Sequence, residues 1–392
     1  MRDNVFVYAV CGGKEHIESL HVSIRYLKQF SKNKIIVVTD SSRNEVSIVH
    51  ENIIHVYTPE NLTNHQASIY IKTVLHLFLP EGNNYCYLDT DIFAVREGVD
   101  NIFSCFVSPI TFAQDFCNID EFSPFAINCN CLETFKKANN VYLQASQLYE
   151  QTLWKEYIAV QEEINKQTKK NKDNAFLKLF HWLKYYLSND FYSLNENYKL
   201  DKRTKQWLNS QNELVDEKYS RIKFIAEKTG FSWSEIRNTF LTKEGASVTQ
   251  LKCRHLREQL KQDFGFEVNQ NDWKHWNGGV FLFNEQSKEF IEFWHNATMK
   301  IFRNLAWKTR DQGTLVATVF NFGLPNHNLL DKNYNFIVDY NNKELIYLND
   351  LTFQEEEKII NPYFLHIFHH FGDKNWPVWQ DLEKLKPLTK TT

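Results

Sequence analysis

The chain has 392 residues, of which 43% are hydrophobic, 15% aromatic and 24% charged, with a formal net charge of −3. That composition excludes a disordered protein, and the near-neutral balance supplies no field that would gather nucleic acid. The length exceeds what one small core requires, so one large domain with an insertion, or two domains, is expected.

The opening stretch MRDNVFVYAVCGGKEH carries only a short apolar run before Cys11, without the h-region and cleavage site of a signal peptide. No uninterrupted apolar run approaches the roughly 18 residues of a membrane span. Seven cysteines, an odd number, fit reduced thiols. Cys105, Cys117, Cys129 and Cys131 gather loosely, but Cys129-Asn-Cys131 lacks the CxxC spacing of a zinc site, so buried thiols are expected there. These features predict a cytoplasmic chain, or one peripheral on the inner membrane surface.

In chain order, Asn4 to Val10 reads as a buried strand, and Gly12-Gly13 leads into a helical pattern through Ile17, Leu20, Ile24 and Leu27. Lys34 to Asp40 is a second strand and Asn52 to Thr58 a third. A helix through Tyr70, Val74 and Leu77 follows, and the run from Asn84 to Val95 is the next strand. Continuous apolar strands alternating with helices predict a parallel α/β sheet covered on both faces.

From about Leu132 to Phe264, Gly and Pro nearly vanish and the apolar spacing turns helical, so a helical insertion is expected. Within it, Lys169 to Leu187 sets Phe176, Phe180, Leu183 and Leu187 on one face. Trp182, Tyr185 and Tyr186 widen that face, and Lys178 and Lys184 flank it. Such a helix either packs into its subdomain or lies in a membrane interface. Strands resume at Gly278 to Asn284, then at NFIVDY, LIYLND and PYFLHIFHH.

Chemistry first shows at NYCYLDTDIFAV, where an apolar strand runs into Asp89 and Asp91. In open α/β sheets ligands bind at the carboxyl ends of strands. A period of two puts both carboxylates on one side, with Thr90 opposite. Two such groups repel unless a cation lies between them. A hard divalent ion suits the pair, and its natural partner is a diphosphate. The plain alternative is a solvated acidic turn.

Four elements, in this order, resemble the family 8 glycosyltransferases, retaining nucleotide-sugar-dependent enzymes of the GT-A fold. YLDTDIFAV resembles that family's DxD strand, and WNGGVFLFN (Trp276 to Asn284) its N-x-G-V-x-L-x-N element. RDQGTL (Arg310 to Leu315) resembles its Asp-Gln pair, and HHFGDKNW (His369 to Trp376) its H-x-x-G-x-x-K-P-W motif. Gly372 and Lys374 stand one residue closer together than in that motif, and Asn375 replaces its proline. The resemblance covers residues 1–131 and 265–392 and lapses in between.

It implies an α/β fold: a GT-A type, Rossmann-like mixed sheet flanked by helices, with a large helical insertion. Residues 1–131 would be the nucleotide-binding part, 132–264 the insertion, and 265–392 the acceptor side with a C-terminal closing segment. The implied reaction moves a hexose from a nucleotide sugar, UDP-linked, to a hydroxyl of a glycan, lipid or protein, with retention. The implied cofactor is Mn²⁺ or Mg²⁺, held by Asp89, Asp91 and His369. Tyr8, Ala9, Lys72, Asp89, Asn277 and Lys374 would contact the donor. Asp311 would orient the transferred sugar, and Gln312 would lie on the β-face of its anomeric carbon.

Each residue also has a plainer role. Tyr8 reads as a core tyrosine, Asn277 as a turn residue, Asp311 as a charge at a helix start and Lys374 as surface. His369 shares a strand face with Leu365 and Ile367, which leaves His366 and His370 on the other face as structural residues or as groups that support the ligands from behind. Two other classes stay open: an inverting GT-A enzyme, with Asp115 or Asp120 as general base, and a non-catalytic sugar-nucleotide-binding protein of the same fold. A nucleotidyltransferase is disfavoured, because no basic Gly-rich loop lies near the first strand.

Overall fold

The computed structural model describes residues 2–270, 273–308, 310–339 and 345–385. The chain divides into two compact units, Met1–Cys129 with Cys253–Thr392, and Asn130–Lys252. In the first, the chain runs through β1 (Asn4–Ala9), α1 (Lys14–Phe30), β2 (Lys34–Thr39), β3 (Ile53–His55), α2 (Asn64–Thr73), α3 (Leu75–Phe78) and β4 (Asn84–Leu88). Next come β5 (Ile92–Ala94), β6 (Thr111–Asn118) and α4 (Ile119–Ala126).

The second unit holds α5 (Cys131–Asp173), α6 (Ala175–Leu187), β7 (Phe191–Ser193), β8 (Tyr198–Asp201), β9 (Trp207–Asn209), α7 (Glu217–Thr229), β10 (Ser232–Ser234) and β11 (Thr239–Leu241). The first unit resumes with α8 (His255–Phe264), β12 (Lys274–Phe283), α9 (Lys288–Ile301), α10 (Arg310–Asn321) and β13 (Phe336–Ile337). It closes with β14 (Leu345–Asn349), β15 (Thr352–Glu355), β16 (Lys358–Ile360), β17 (Phe364–His366) and α11 (Pro377–Lys384).

The apolar runs assemble as a six-stranded sheet in the order β3-β2-β1-β4-β12-β6. β1 to β4 are mutually parallel, and β12 is antiparallel to both β4 and β6. This is a mixed α/β sheet flanked by helices. Phe6, Val7 and Tyr8 have no solvent exposure because both faces of the sheet are covered. On one face α1 lays down Ile17, Leu20, Ile24 and Leu27, the four positions its periodicity predicts. On the other, Ile71, Leu256, Trp294 and Val316 pack from α2, α8, α9 and α10.

The run from Asn84 to Val95 is not one strand. β4 ends at Leu88 inside the large sheet, and β5 pairs antiparallel with β17 in a separate three-stranded sheet, β13-β17-β5. Asp89, Thr90 and Asp91 therefore form a turn between two sheets.

The second unit is not purely helical. α5, α6 and α7 are joined by a three-stranded sheet, β7-β8-β9, and a hairpin, β10-β11. Its two small cores centre on Ala145, Ile225, Phe240 and Val248, and on Ile164, Tyr192 and Leu194. The unit ends at Lys252, earlier than the expected 264, because α8 buries Leu256 and Leu260 in the main core. α6 has no buried residue, and Phe176 and Leu187 are 77% and 81% exposed. The helix meets the unit's second core through Tyr185 and through His181, which lies 2.6 Å from the Tyr192 hydroxyl, and leaves its other apolar side chains exposed. Among the described residues no helix is long and apolar enough to cross a membrane.

Candidate active site

The Asp89-Thr90-Asp91 turn is held by its neighbours from several directions. The Asp89 N–H donates to the Gly279 carbonyl (2.8 Å) and the Ile367 N–H to that of Asp91 (3.1 Å). From α1, the Ser19 hydroxyl donates to the Thr90 carbonyl at 2.8 Å. The Ser23 hydroxyl donates to the Ile92 carbonyl, so the Tyr8 hydroxyl, 2.8 Å away, donates to Ser23. Tyr8 is fully buried between the sheet and α1, and burial pushes its phenol above the ordinary range. Through Ser23, Tyr8 thus supports the turn from beneath. Ala9 faces the opposite side and is 8% exposed.

The carboxylate of Asp89 meets the cation of Lys72. A Thr63–Gln66 capping box starts α2, and Lys72 lies in its last turn, only 7% exposed. Its Nζ reaches Asp89 at 3.3 Å and Asp311, at the start of α10, also at 3.3 Å. Burial alone would lower the Lys72 pKa, but Asp89 and Asp311 outweigh it and hold the pKa above its usual value. Burial raises the Asp89 pKa, Lys72 opposes that rise, and repulsion from Asp91 adds to it. The Tyr87 hydroxyl donates to the same carboxylate.

Asp91 lies against an imidazole, and that imidazole is His366. The His366 Nε2 and Asp91 Oδ1 approach to 3.4 Å as an ion-pair contact, and neither atom has a hydrogen-bond partner besides. On the far side of the ring, Nδ1 lies 2.9 Å from the Asn335 side-chain oxygen. An Nδ1–H donated to Asn335 leaves the Nε2 lone pair for a ligand. Burial would lower the His366 pKa, but Asp91 and then Asp89 raise it overall. Burial would raise the Asp91 pKa, and His366 brings it below its usual value.

His369, the expected ligand, lies beyond β17, exposed, with its backbone N–H on Asp339. The strand stops at His366, so the alternation that put Leu365, Ile367 and His369 on one face does not extend that far. Lys374 is likewise exposed, in the loop before α11.

Two glycines of β12 make room for this convergence. A Cβ at Gly279 would lie 2.8 Å from His366 Cε1, 2.9 Å from Asn277 Oδ1 and 3.2 Å from Asp89 Oδ2. One at Gly278 would lie 3.3 Å from Lys72 Nζ. Asp91 Oδ1 and His366 Nε2, with no partner beyond each other, are ligand types that a hard divalent ion of the Mn²⁺ or Mg²⁺ kind takes, while the Asp89 oxygens face Lys72 and Tyr87.

Beside it runs a buried network that sequence reading missed. The Asp115 Oδ2 accepts from Asn277 Nδ2 (2.8 Å) and Gln312 Nε2 (3.4 Å), and lies 3.5 Å from His275 Nε2. Its Oδ1 accepts the Phe116 and Cys117 backbone N–H groups. Asp115, Cys117 and His275 bring ligand-type atoms within 4.8 Å of one another, but the Asp115 oxygens are already filled by donors. Burial would raise the Asp115 pKa; His275, Asn277 and Cys117 hold it well below the usual carboxylate range.

Asn277 is 1% exposed, its other end accepting from the Gly279 N–H at 2.8 Å. Both ends of its amide are hydrogen-bonded within the protein, the nitrogen to Asp115. Asp120 is also buried and paired with Arg257. Asp115 is buried and held below the ordinary carboxylate range, and Asp120 is buried in its ion pair, so neither is placed as an accessible general base.

No protein-family model matches this sequence, and no curated protein does. Among solved structures, the chain is similar to the crystal structure of mouse xyloside xylosyltransferase 1 in its apo form. Identity there is 10%, with 96% of this chain and 99% of that one covered and a TM-score of 0.38.

Proposed function

We propose that this chain is a metal-dependent retaining glycosyltransferase of the family 8, GT-A kind, moving a hexose from a UDP-linked donor to a hydroxyl of a glycan, lipid or protein. The observation that carries the reading is Asp91 Oδ1 against His366 Nε2, two buried atoms with no partner beyond each other, beside Asp89 at the carboxyl end of a central strand. Asp89, Asp91 and His366 are the residues to hold Mn²⁺ or Mg²⁺. Bound there, the ion supplies Lewis-acid stabilisation of the diphosphate leaving group.

The chain's own groups do the rest. Lys72 fixes Asp89 and Asp311 in one ion-paired array, so the carboxylates keep their places before donor arrives. Asp311 orients the transferred sugar, and Gln312, held toward Asp115, lies at the anomeric carbon. A neutral amide is a poor nucleophile, which favours attack by the acceptor on the face the leaving group departs. The burial and pairing of Asp115 and Asp120 weigh against the inverting reading.

Ala9, at the end of β1, borders the nucleotide site. The exposed segment after β17, with His369 and Lys374, closes over the diphosphate and brings Lys374 to a phosphate. Residues 1–131 then serve the nucleotide and those from β12 onward the acceptor, and the second unit selects it. The exposed apolar face of α6 supports a peripheral membrane contact for a cytoplasmic enzyme.

Calorimetry with UDP, with and without Mn²⁺, tests the reading. Metal-dependent binding and slow hydrolysis of at least one UDP-hexose, its product anomer assigned by NMR, is the expected result. UDP affinity unchanged by a chelator would overturn it.

A further inference from the structure

We infer that Cys129, Cys253 and His255 form a structural zinc site at the point where the chain leaves the first unit and rejoins it. The first unit breaks off at Cys129 and resumes at Cys253. The ligand atoms of these three residues lie within 4.8 Å of one another. The Cys129 and Cys253 sulfurs are 3.7 Å apart, and the Cys253 sulfur is 3.2 Å from His255 Nδ1. Tetrahedral zinc with ordinary bond lengths sets sulfur to sulfur at about 3.8 Å and sulfur to nitrogen at about 3.5 Å. The spacing of a zinc-bound set is therefore nearly in place, whereas a disulfide needs its sulfurs at about 2.05 Å.

The surroundings hold these groups still. The Cys253 N–H donates to the Asp120 carbonyl at 3.0 Å, and the Ser123 hydroxyl donates to the Cys253 sulfur at 3.1 Å. Ser123 in turn accepts from the Leu256 N–H at 2.9 Å, and Arg257 pairs with Asp120 at 2.5 Å. On the departing segment, the Asn128 N–H donates to the Ala306 carbonyl at 2.7 Å. A hydroxyl on a ligating sulfur is the kind of outer contact that fixes a metal ligand. The exposed His255 leaves a way in for the ion.

A structural zinc takes four ligands. The sequence supplies a third thiol two residues beyond the first, so that Cys129-Asn-Cys131 answers Cys253-Arg-His255. Thiolates select zinc, whereas the carboxylates of Asp89 and Asp91 suit Mn²⁺ or Mg²⁺, so the two sites differ in metal. Binding converts each ligating thiol to a thiolate with release of one proton, and Zn²⁺ keeps its oxidation state.

The test is metal analysis of the full chain purified without added zinc or chelator. About one zinc per chain is expected, unchanged in Asp91→Asn and lost in Cys129→Ser. His255→Ala alters only an exposed side chain, so it keeps the fold while weakening zinc retention at least tenfold against a chelating dye. Should Cys129→Ser fail to fold, cobalt added to the zinc-stripped parent reads the site directly. Thiolate-to-cobalt charge-transfer bands with tetrahedral visible bands are expected. A zinc-free chain that gives no thiolate–cobalt band would overturn the proposal. So would a Cys129–Cys253 disulfide found by mass spectrometry under native redox conditions, or full zinc retention in both variants.

Discussion

Gly279→Ala probes the proposed metal site without replacing a ligand. The added Cβ would lie 2.8 Å from His366 Cε1, and ordinary contact begins at 3.4 Å, so about 0.6 Å of movement is required there. His366 has little room to retreat, being 1% exposed with Nδ1 against Asn335. Asn277, the second obstacle, is 1% exposed and tied to Asp115. Asp89 yields most readily, with about a third of its side chain exposed. Overpacking of this kind costs about 1–3 kcal/mol, and displaced ligands weaken metal affinity by about ten- to a hundredfold. Gly278→Ala is the control, because its Cβ meets only the tip of Lys72 at 3.3 Å and the Gln312 Cγ at 3.8 Å. Mn²⁺ titration followed by paramagnetic resonance, beside thermal denaturation, separates the two effects. Mn²⁺ affinity equal to the parent in Gly279→Ala, or a larger loss in Gly278→Ala, would refute the steric account of the site.

Three further outcomes follow from the same geometry. His366→Gln should lower Mn²⁺ affinity at least tenfold while His369→Gln leaves apo-protein affinity within about twofold, read by the same titration. Gln312→Ala should lower kcat with donor affinity nearly intact, measured by UDP release in steady state. His295, beside Thr73, has its pKa lowered to about 4 by burial and then by His76. Its stabilising contribution is full above the unfolded value near 6.5 and is lost as pH falls toward 4, because the unfolded chain takes up the proton first. Discounted for partial exposure, the loss is about 2 kcal/mol. Denaturant melts of His295→Gln should therefore show a shallower decline between pH 6.5 and 4.

Local pattern carried much of the fold. The period of α1 marks the four side chains it buries, and the all-apolar β1 and β2 announce strands covered on both faces. The turn at Asp89 was not legible, since an apolar run looks the same whether it stays in one sheet or passes to another. That His366, and not His369, lies beside Asp91 was not legible for a related reason. Where β17 ends is set by its pairing with β5, and nothing within PYFLHIFHH marks that point. Cys253 and His255 lay more than a hundred residues from Cys129, a separation no local spacing rule spans. Asp115 and His275 likewise meet only because β6 and β12 pair.

The two strands that meet at Asp89 and Asp91 belong to different sheets, and His366 hangs from the smaller one. An ion held by all three would act as a rivet between independently paired layers. Loading it would join their opening into one event, so amide exchange in β5 and β17 would come to track that of β4. If such an ion binds there, removing it would let the two sheets open separately, and its affinity would set how tightly their openings are coupled.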